Sequence, residues 1–247
     1  MKGNQTNLAR WWMVVVFAVA MAWVEAAVAF YLRSMMDRIE PHQSDPLPVI
    51  GGFAPVELPR EIATLVMLFA VGYLAGRKWR ARIGYAAIAF GVWDIFYYVF
   101  LKMMCGWPHR CLIGDVLFLL PLPWWGPVLA PVLISLLLIL WGALMIHFER
   151  THTPALSNWR VWILNFTGVA LALYVFMADA IAASHHGLEA IRTVPPEKFN
   201  WPLFCMALAL MSVPVMKIIG QFFLSQRAKT VVGEPPEEFR CTRNLQN

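Results

Sequence analysis

Charge is what this chain has least of: 14% of its 247 residues are Asp, Glu, Lys or Arg, whereas 60% are hydrophobic. Soluble globular domains carry about 25% charged residues, so a soluble fold is excluded for most of its length. No stretch outside the apolar runs is long enough for a soluble domain, and no internal repeat, low-complexity tract, collagen period or coiled-coil heptad is present. Catalytic signatures are missing too. There is no HExxH, no EF-hand loop, no Gly-rich phosphate loop, no GxSxG elbow and no paired Cys/His ligand spacing, which removes the usual carriers of zinc, calcium, nucleotide and acyl-transfer chemistry. A two-haem arrangement lacks its axial ligands. His147 falls at the end of an apolar run, His185 lies beyond another, and no run holds a histidine at its middle.

The formal net charge of +5 does not indicate nucleic acid. Its cations collect in short segments between apolar runs, as topology determinants do, and not in a soluble module interleaved with aromatics. Twelve Trp are present, and several (Trp11, Trp12, Trp79, Trp107, Trp124, Trp125, Trp159, Trp201) sit at run ends. An interfacial aromatic belt belongs there.

A hydrocarbon core of ~30 Å takes ~20 helical residues to cross. Six runs approach or reach that length, at about 11–32, 61–76, 83–101, 128–148, 161–183 and 201–223. The expected fold class is therefore an all-α integral membrane protein, a bundle of six transmembrane helices in one domain over 1–224. A charged tail over 225–247 carries Pro235-Pro236 and no apolar period.

The first run starts like a signal peptide, with Lys2, Arg10 and Ala27-Val28-Ala29. Glu25 and the continuing apolar residues Phe30, Tyr31 and Leu32 argue for an uncleaved helix. Segment 34–60, with Pro41, Pro46, Pro48, Pro55 and Pro59, reads as an ordered loop without long helix. Pro121, Pro123, Gly126 and Pro127 break the stretch before the fourth span, which points to a short interfacial or re-entrant segment.

Counting cations sets the orientation. Segments 1–10, 77–82, 149–160 and 225–247 hold twelve (Lys2, Arg10, Arg77, Lys78, Arg80, Arg82, Arg150, Arg160, Arg227, Lys229, Arg240, Arg243), and the alternate side holds seven (Arg33, Arg38, Arg60, Lys102, Arg110, Arg192, Lys198). Positive residues concentrate on the cytoplasmic side, so both termini are expected inside, in the inner (plasma) membrane of a bacterial-type cell.

Three carboxylates, Glu25, Asp94 and Asp179, interrupt the first, third and fifth runs. A charge at mid-bilayer costs at least ~2.5 kcal/mol, so each needs a partner or a polar cavity. All three are expected to converge in the outer half of the bundle, with spans one, three and five as its core. Arg33 and Lys102 each follow an acid by eight residues, and Tyr97 and Tyr98 supply hydroxyl groups beside Asp94. Asp179, His186 and Glu189 share one helical face if the fifth helix continues, a weak N/O metal set and an acid–base candidate. Span four, nearly pure Leu, Ile and Val around Ser135 between Val132 and Trp141, is expected at the periphery. Cys105 and Cys111 flank a short turn and form a disulfide candidate.

Three functional classes fit these features. A non-catalytic membrane subunit or anchor, with the bilayer and protein partners around it, fits best because no catalytic motif is present. An extracytoplasmic-facing membrane enzyme acting on a lipid or quinone-like substrate would use Asp179, His186 and Glu189 as acid–base or metal groups, with Glu25 and Asp94 as further catalytic candidates. A small proton-coupled transporter would use Glu25, Asp94 and Asp179 as relay or cation ligands, without the inverted repeat common in such proteins.

Overall fold

The computed structural model describes residues 2–35, 54–117, 122, 124–149, 159–184 and 199–231. Six helices carry most of them: α1 (Lys2–Met35), α2 (Ala54–Ala75), α3 (Trp79–Cys105), α4 (Leu129–Glu149), α5 (Trp159–Ser184) and α6 (Trp201–Val231). Each contains a stretch long and apolar enough to cross a membrane. The chain is thus a multi-pass membrane protein built as a helical bundle, in contact with lipid.

Most helices extend beyond their apolar cores, because hydropathy marks only the part that crosses hydrocarbon. The most consequential difference is at α2. It starts at Ala54, inside the stretch expected as a Pro-rich loop, and includes Pro59. Pro55 falls in the first turn, where the backbone N–H has no intrahelical partner in any case. Pro59 forfeits one such bond. The gain is about two extra turns of helix that carry Glu57 and Arg60, with Arg60 reaching Glu25 of α1.

Helix ends follow local chemistry. Gly106 closes α3 in the left-handed region (φ 76°), and its N–H reaches the Lys102 carbonyl at 3.0 Å, a conformation glycine adopts without a Cβ clash. At the start of α6 the Asn200 side chain accepts the Leu203 N–H at 3.1 Å, a side-chain N-cap.

The described residues of the stretch before α4 include no helix. They form a small antiparallel pair, β1 (Gly114–Val116) and β2 (Trp125–Pro127), with Asp115 opposite Gly126. Asp115 ties β1 to Arg33 of α1, and β2 lies against both α4 and α5.

Packing departs from the expected core of spans one, three and five. Helix α3 is the hub, and α1, α2 and α4 all lie against it. Helix α5 touches neither α1 nor α3; its partners are α6 and β2. Its apolar cluster (Ala172, Val175, Phe176 with Phe204 and Ala207) is shared by α5 and α6 and takes in Ala130 at the start of α4.

Helix α4 keeps the exposed side expected of a peripheral span, with Ser135 the one buried residue between Val132 and Trp141, but it is not remote from the other helices. It packs along α3 more extensively than any other pair and also meets α6, so it joins the two parts of the bundle. Small residues explain this. A Cβ on Gly142 would lie 2.4 Å from the Gly84 carbonyl oxygen, and one on Gly91 would lie 2.6 Å from that of Ser135. Glycine at these points lets two backbones approach closely, the usual basis of tight helix contacts in membranes. Leu136 and Leu140 still face outward, which is the lipid-facing side that the apolar run implied.

Candidate functional site

Glu25 is buried on α1. Arg60 and Thr64 of α2 both donate hydrogen bonds to its carboxylate. Residues 60 and 64 are one turn apart and therefore share a face, so a single face of α2 supplies both donors. Arg60 also grips Glu57 one turn earlier, through Nε at 2.9 Å and through a second nitrogen. A guanidinium presents several donors in one plane, which suits it to bridging two carboxylates.

Asp94, buried on α3, takes a different partner. Ser135 Oγ of α4 donates to its Oδ2 at 2.8 Å. This bond is the polar side of the tight α3–α4 contact. It gives Ser135, the lone hydroxyl in an aliphatic run, its role.

A third pair closes the hairpin end. Arg33, near the end of α1, bonds Asp115 of β1 at 2.9 Å, with the Asp115 side chain almost wholly buried. The Arg33 guanidinium carbon also lies 4.3 Å from the centroid of the Trp107 ring, a cation–π distance. Trp107 is fully buried among Ala26, Tyr98, Leu101 and Val128.

Tyr97 is where these groups meet. It lies within electrostatic reach of Arg33, Asp115, Arg60 and Glu57. Its neighbour Tyr98 is within reach of Asp115, Asp94 and Arg33, and Asp94 is itself within reach of Asp115. Glu61, one residue past Arg60, is buried and acts electrostatically on it. The region therefore combines Glu25, Glu57, Glu61, Asp94 and Asp115 with Arg33 and Arg60, drawn from α1, α2, α3 and β1 and joined to α4 by Ser135.

The structure thus brings two of the three singled-out acids into one polar region and leaves the third elsewhere. Asp179 is half-buried on α5, and no described polar contact of Glu25 or Asp94 involves it. The fifth apolar run was correctly located, but its acid could not reveal which helices it would face. His186 and Glu189 lie outside the described residues, and among those described no group of three metal-ligating side chains forms.

Supporting roles also changed. Arg33 pairs with Asp115 and not with Glu25. Lys102 turns to the Pro108 carbonyl at 3.3 Å and not to Asp94. Ser135, and neither phenol, supplies the hydrogen bond to Asp94. The expected Cys105–Cys111 bridge is not made: both are free thiols, and Cys105 Sγ donates to the Leu101 carbonyl. Arg60, Thr64, Asp115 and Ser135 are the residues that sequence reasoning missed. Arg60 was legible only as a helix extension through prolines, and Asp115 carried no signal at all.

Comparison with protein-family models, with curated proteins and with solved structures returned no significant match.

Proposed function

We propose that this chain is a non-catalytic membrane subunit or anchor of a larger complex, held in a bacterial-type inner membrane with both termini in the cytoplasm and the polar region in the outer half of the bundle. The observation that carries the reading is that the buried charges are engaged with one another across element boundaries. Arg60 joins Glu25 across α1 and α2, Arg33 joins Asp115 across α1 and β1, and Ser135 joins Asp94 across α3 and α4. In hydrocarbon such contacts specify which helices meet and at what rotation, because any other arrangement leaves a charge unsatisfied. That is the work of a scaffold.

Isolation of the tagged chain from its native membranes in mild detergent tests this. A stoichiometric complex with other polypeptides is the expected result. A chain that purifies alone and carries a metal, a pigment or a turnover of its own overturns the proposal.

A second reading draws on the excess of acid. Glu57, Asp94 and Asp115 lie within electrostatic reach of Tyr97 or Tyr98, and Glu25 and Glu61 join through Arg60, so five carboxyl groups share two guanidinium groups and the region has proton-accepting groups to spare. A small proton-coupled transporter would use Glu25 and Asp94 for that purpose. Substrate-driven proton uptake into proteoliposomes, lost in Asp94→Asn, would favour it over the scaffold. The remaining alternative, an enzyme acting on a lipid or quinone-like substrate, rests on Asp179, His186 and Glu189. Turnover lost on His186→Ala would support it.

A further inference from the structure

Helices α2 and α3 are both candidate membrane spans, and Gly76, Arg77 and Lys78 alone separate them. A turn this short between two spans has to lie at the boundary between hydrocarbon and water, at the depth of lipid headgroups. It carries Arg77, Lys78, Arg80 and Arg82, and the chain holds no acid from residue 62 to residue 93. Arg77, Lys78 and Arg80 are exposed, and none has an acidic partner among the described residues.

The fourth cation is held in place. The Arg82 guanidinium carbon lies 3.8 Å from the Tyr73 ring centroid, and its Nε donates to the Gly76 carbonyl at 3.2 Å. Trp79, 57% exposed, packs edge-on against Phe69 and puts an indole beside the cations. Arg10 of α1 comes to the same end, because Trp11 packs in the cluster that includes Ala75 and Ala81. Below the turn, α2 shows an apolar outer face of Leu65, Val66, Phe69, Tyr73 and Leu74.

We propose that the α2–α3 turn binds the headgroup of an anionic phospholipid, whose phosphate sits among Arg77, Lys78 and Arg80 and whose acyl chains lie along the outer face of α2. Two features favour a lipid over an acidic protein. The cations are held at headgroup depth and not on a projecting loop, and an apolar face continues directly from them into the hydrocarbon. Clustered cations beside a span attract anionic lipid, and the attraction weakens as salt screens it.

Native mass spectrometry of the purified full chain in neutral detergent, with phosphatidylglycerol or phosphatidylcholine of matched acyl chains added, is the test. The unmodified protein should retain phosphatidylglycerol preferentially, and that preference should fall as ionic strength rises. The R77Q/K78Q/R80Q variant should lose at least about tenfold in affinity for the anionic lipid, whereas Arg110→Gln, at the far end of α3, should keep it. Millimolar inorganic phosphate should leave binding intact, because phosphate lacks the chains that contact α2.

Equal retention of the two lipids by the unmodified protein overturns the proposal, as does a preference unchanged by salt or by the triple variant. Full competition by inorganic phosphate would assign the patch to free phosphate instead. Loss of a co-purifying polypeptide in the triple variant, with lipid retention unchanged, would make it a protein-docking surface and would equally overturn the lipid assignment. The salt series on the unmodified protein decides the matter if the variant fails to assemble.

Discussion

Arg60 shows what one side chain contributes in this bundle. It bonds Glu25 on another helix and Glu57 on its own, so its removal strands two carboxylates. Breaking a buried pair by removing one partner costs about 3–5 kcal/mol, whereas replacing both members by apolar residues is often close to neutral. Arg60→Leu should therefore lower thermal stability in detergent by an amount toward the low end of that range, since its side chain is 31% exposed. Glu25→Leu should be at least as costly, its side chain being 8% exposed. The double replacement should unfold closer to the unmodified protein than either single one. If the double variant is as unstable as the sum of the two, the pair is not acting as a unit. Ser135→Ala presents a simpler case. Losing the donor to a buried Asp94 should cost about 1–3 kcal/mol, measured by thermal unfolding, with little effect on membrane insertion.

At the scale of elements, the α3–α4 contact combines two devices. Glycines at 84, 91 and 142 let the backbones close up, and the closeness lets Ser135 reach Asp94. Gly142→Ala places a methyl 2.4 Å from the Gly84 carbonyl oxygen, which is too short for any real contact. The helices must separate, and overpacking of this kind costs about 1–3 kcal/mol. A cysteine pair engineered across α3 and α4 should accordingly crosslink more slowly in Gly142→Ala than in its Gly142 parent. Unchanged crosslinking would mean that α4 slides to accommodate the methyl. The β1–β2 hairpin is the other joining element. Asp115 on β1 holds α1, while Trp124, just before β2, stacks on Phe176 of α5 with ring centroids 6.2 Å apart. It helps connect the α5–α6 pair to the helices before it, among which α5 has no contact with α1, α2 or α3 and meets α4 only through side-chain clusters such as Met145 with Val161.

For the molecule as a whole, the arrangement is four helices gathered on α3, and a pair attached through α4, α6 and the hairpin. The proposed orientation places the start of α1, the α2–α3 turn and the end of α6 in the cytoplasm. Reporter fusions after Arg82 and after Arg227 should both give the cytoplasmic signal. An outer-side signal after Arg82 would invert the bundle and move the polar region to the inner half. The packing itself would be unaffected, since none of its contacts depends on which side is which.

Six apolar runs, the limits of α4 and α5 to within two residues, and the interruption of the first and third runs by Glu25 and Asp94 were legible in the amino-acid sequence. Hydropathy is a local quantity, and a buried charge interrupts an apolar run visibly wherever it falls. The partners of those acids were not legible. Arg60 lay in a stretch whose prolines suggested a loop, Asp115 lay in an unpatterned connection, and Ser135 looked incidental among Leu and Ile. Partnership depends on how far each helix is rotated and which helix lies beside it, and the close approaches at Gly84, Gly91 and Gly142 settle both for α3 and α4. The same cause separated Asp179 from the other two acids: its place in the fifth apolar run follows from the sequence, but its neighbours follow from α5 packing on α6 and β2 and not on α3.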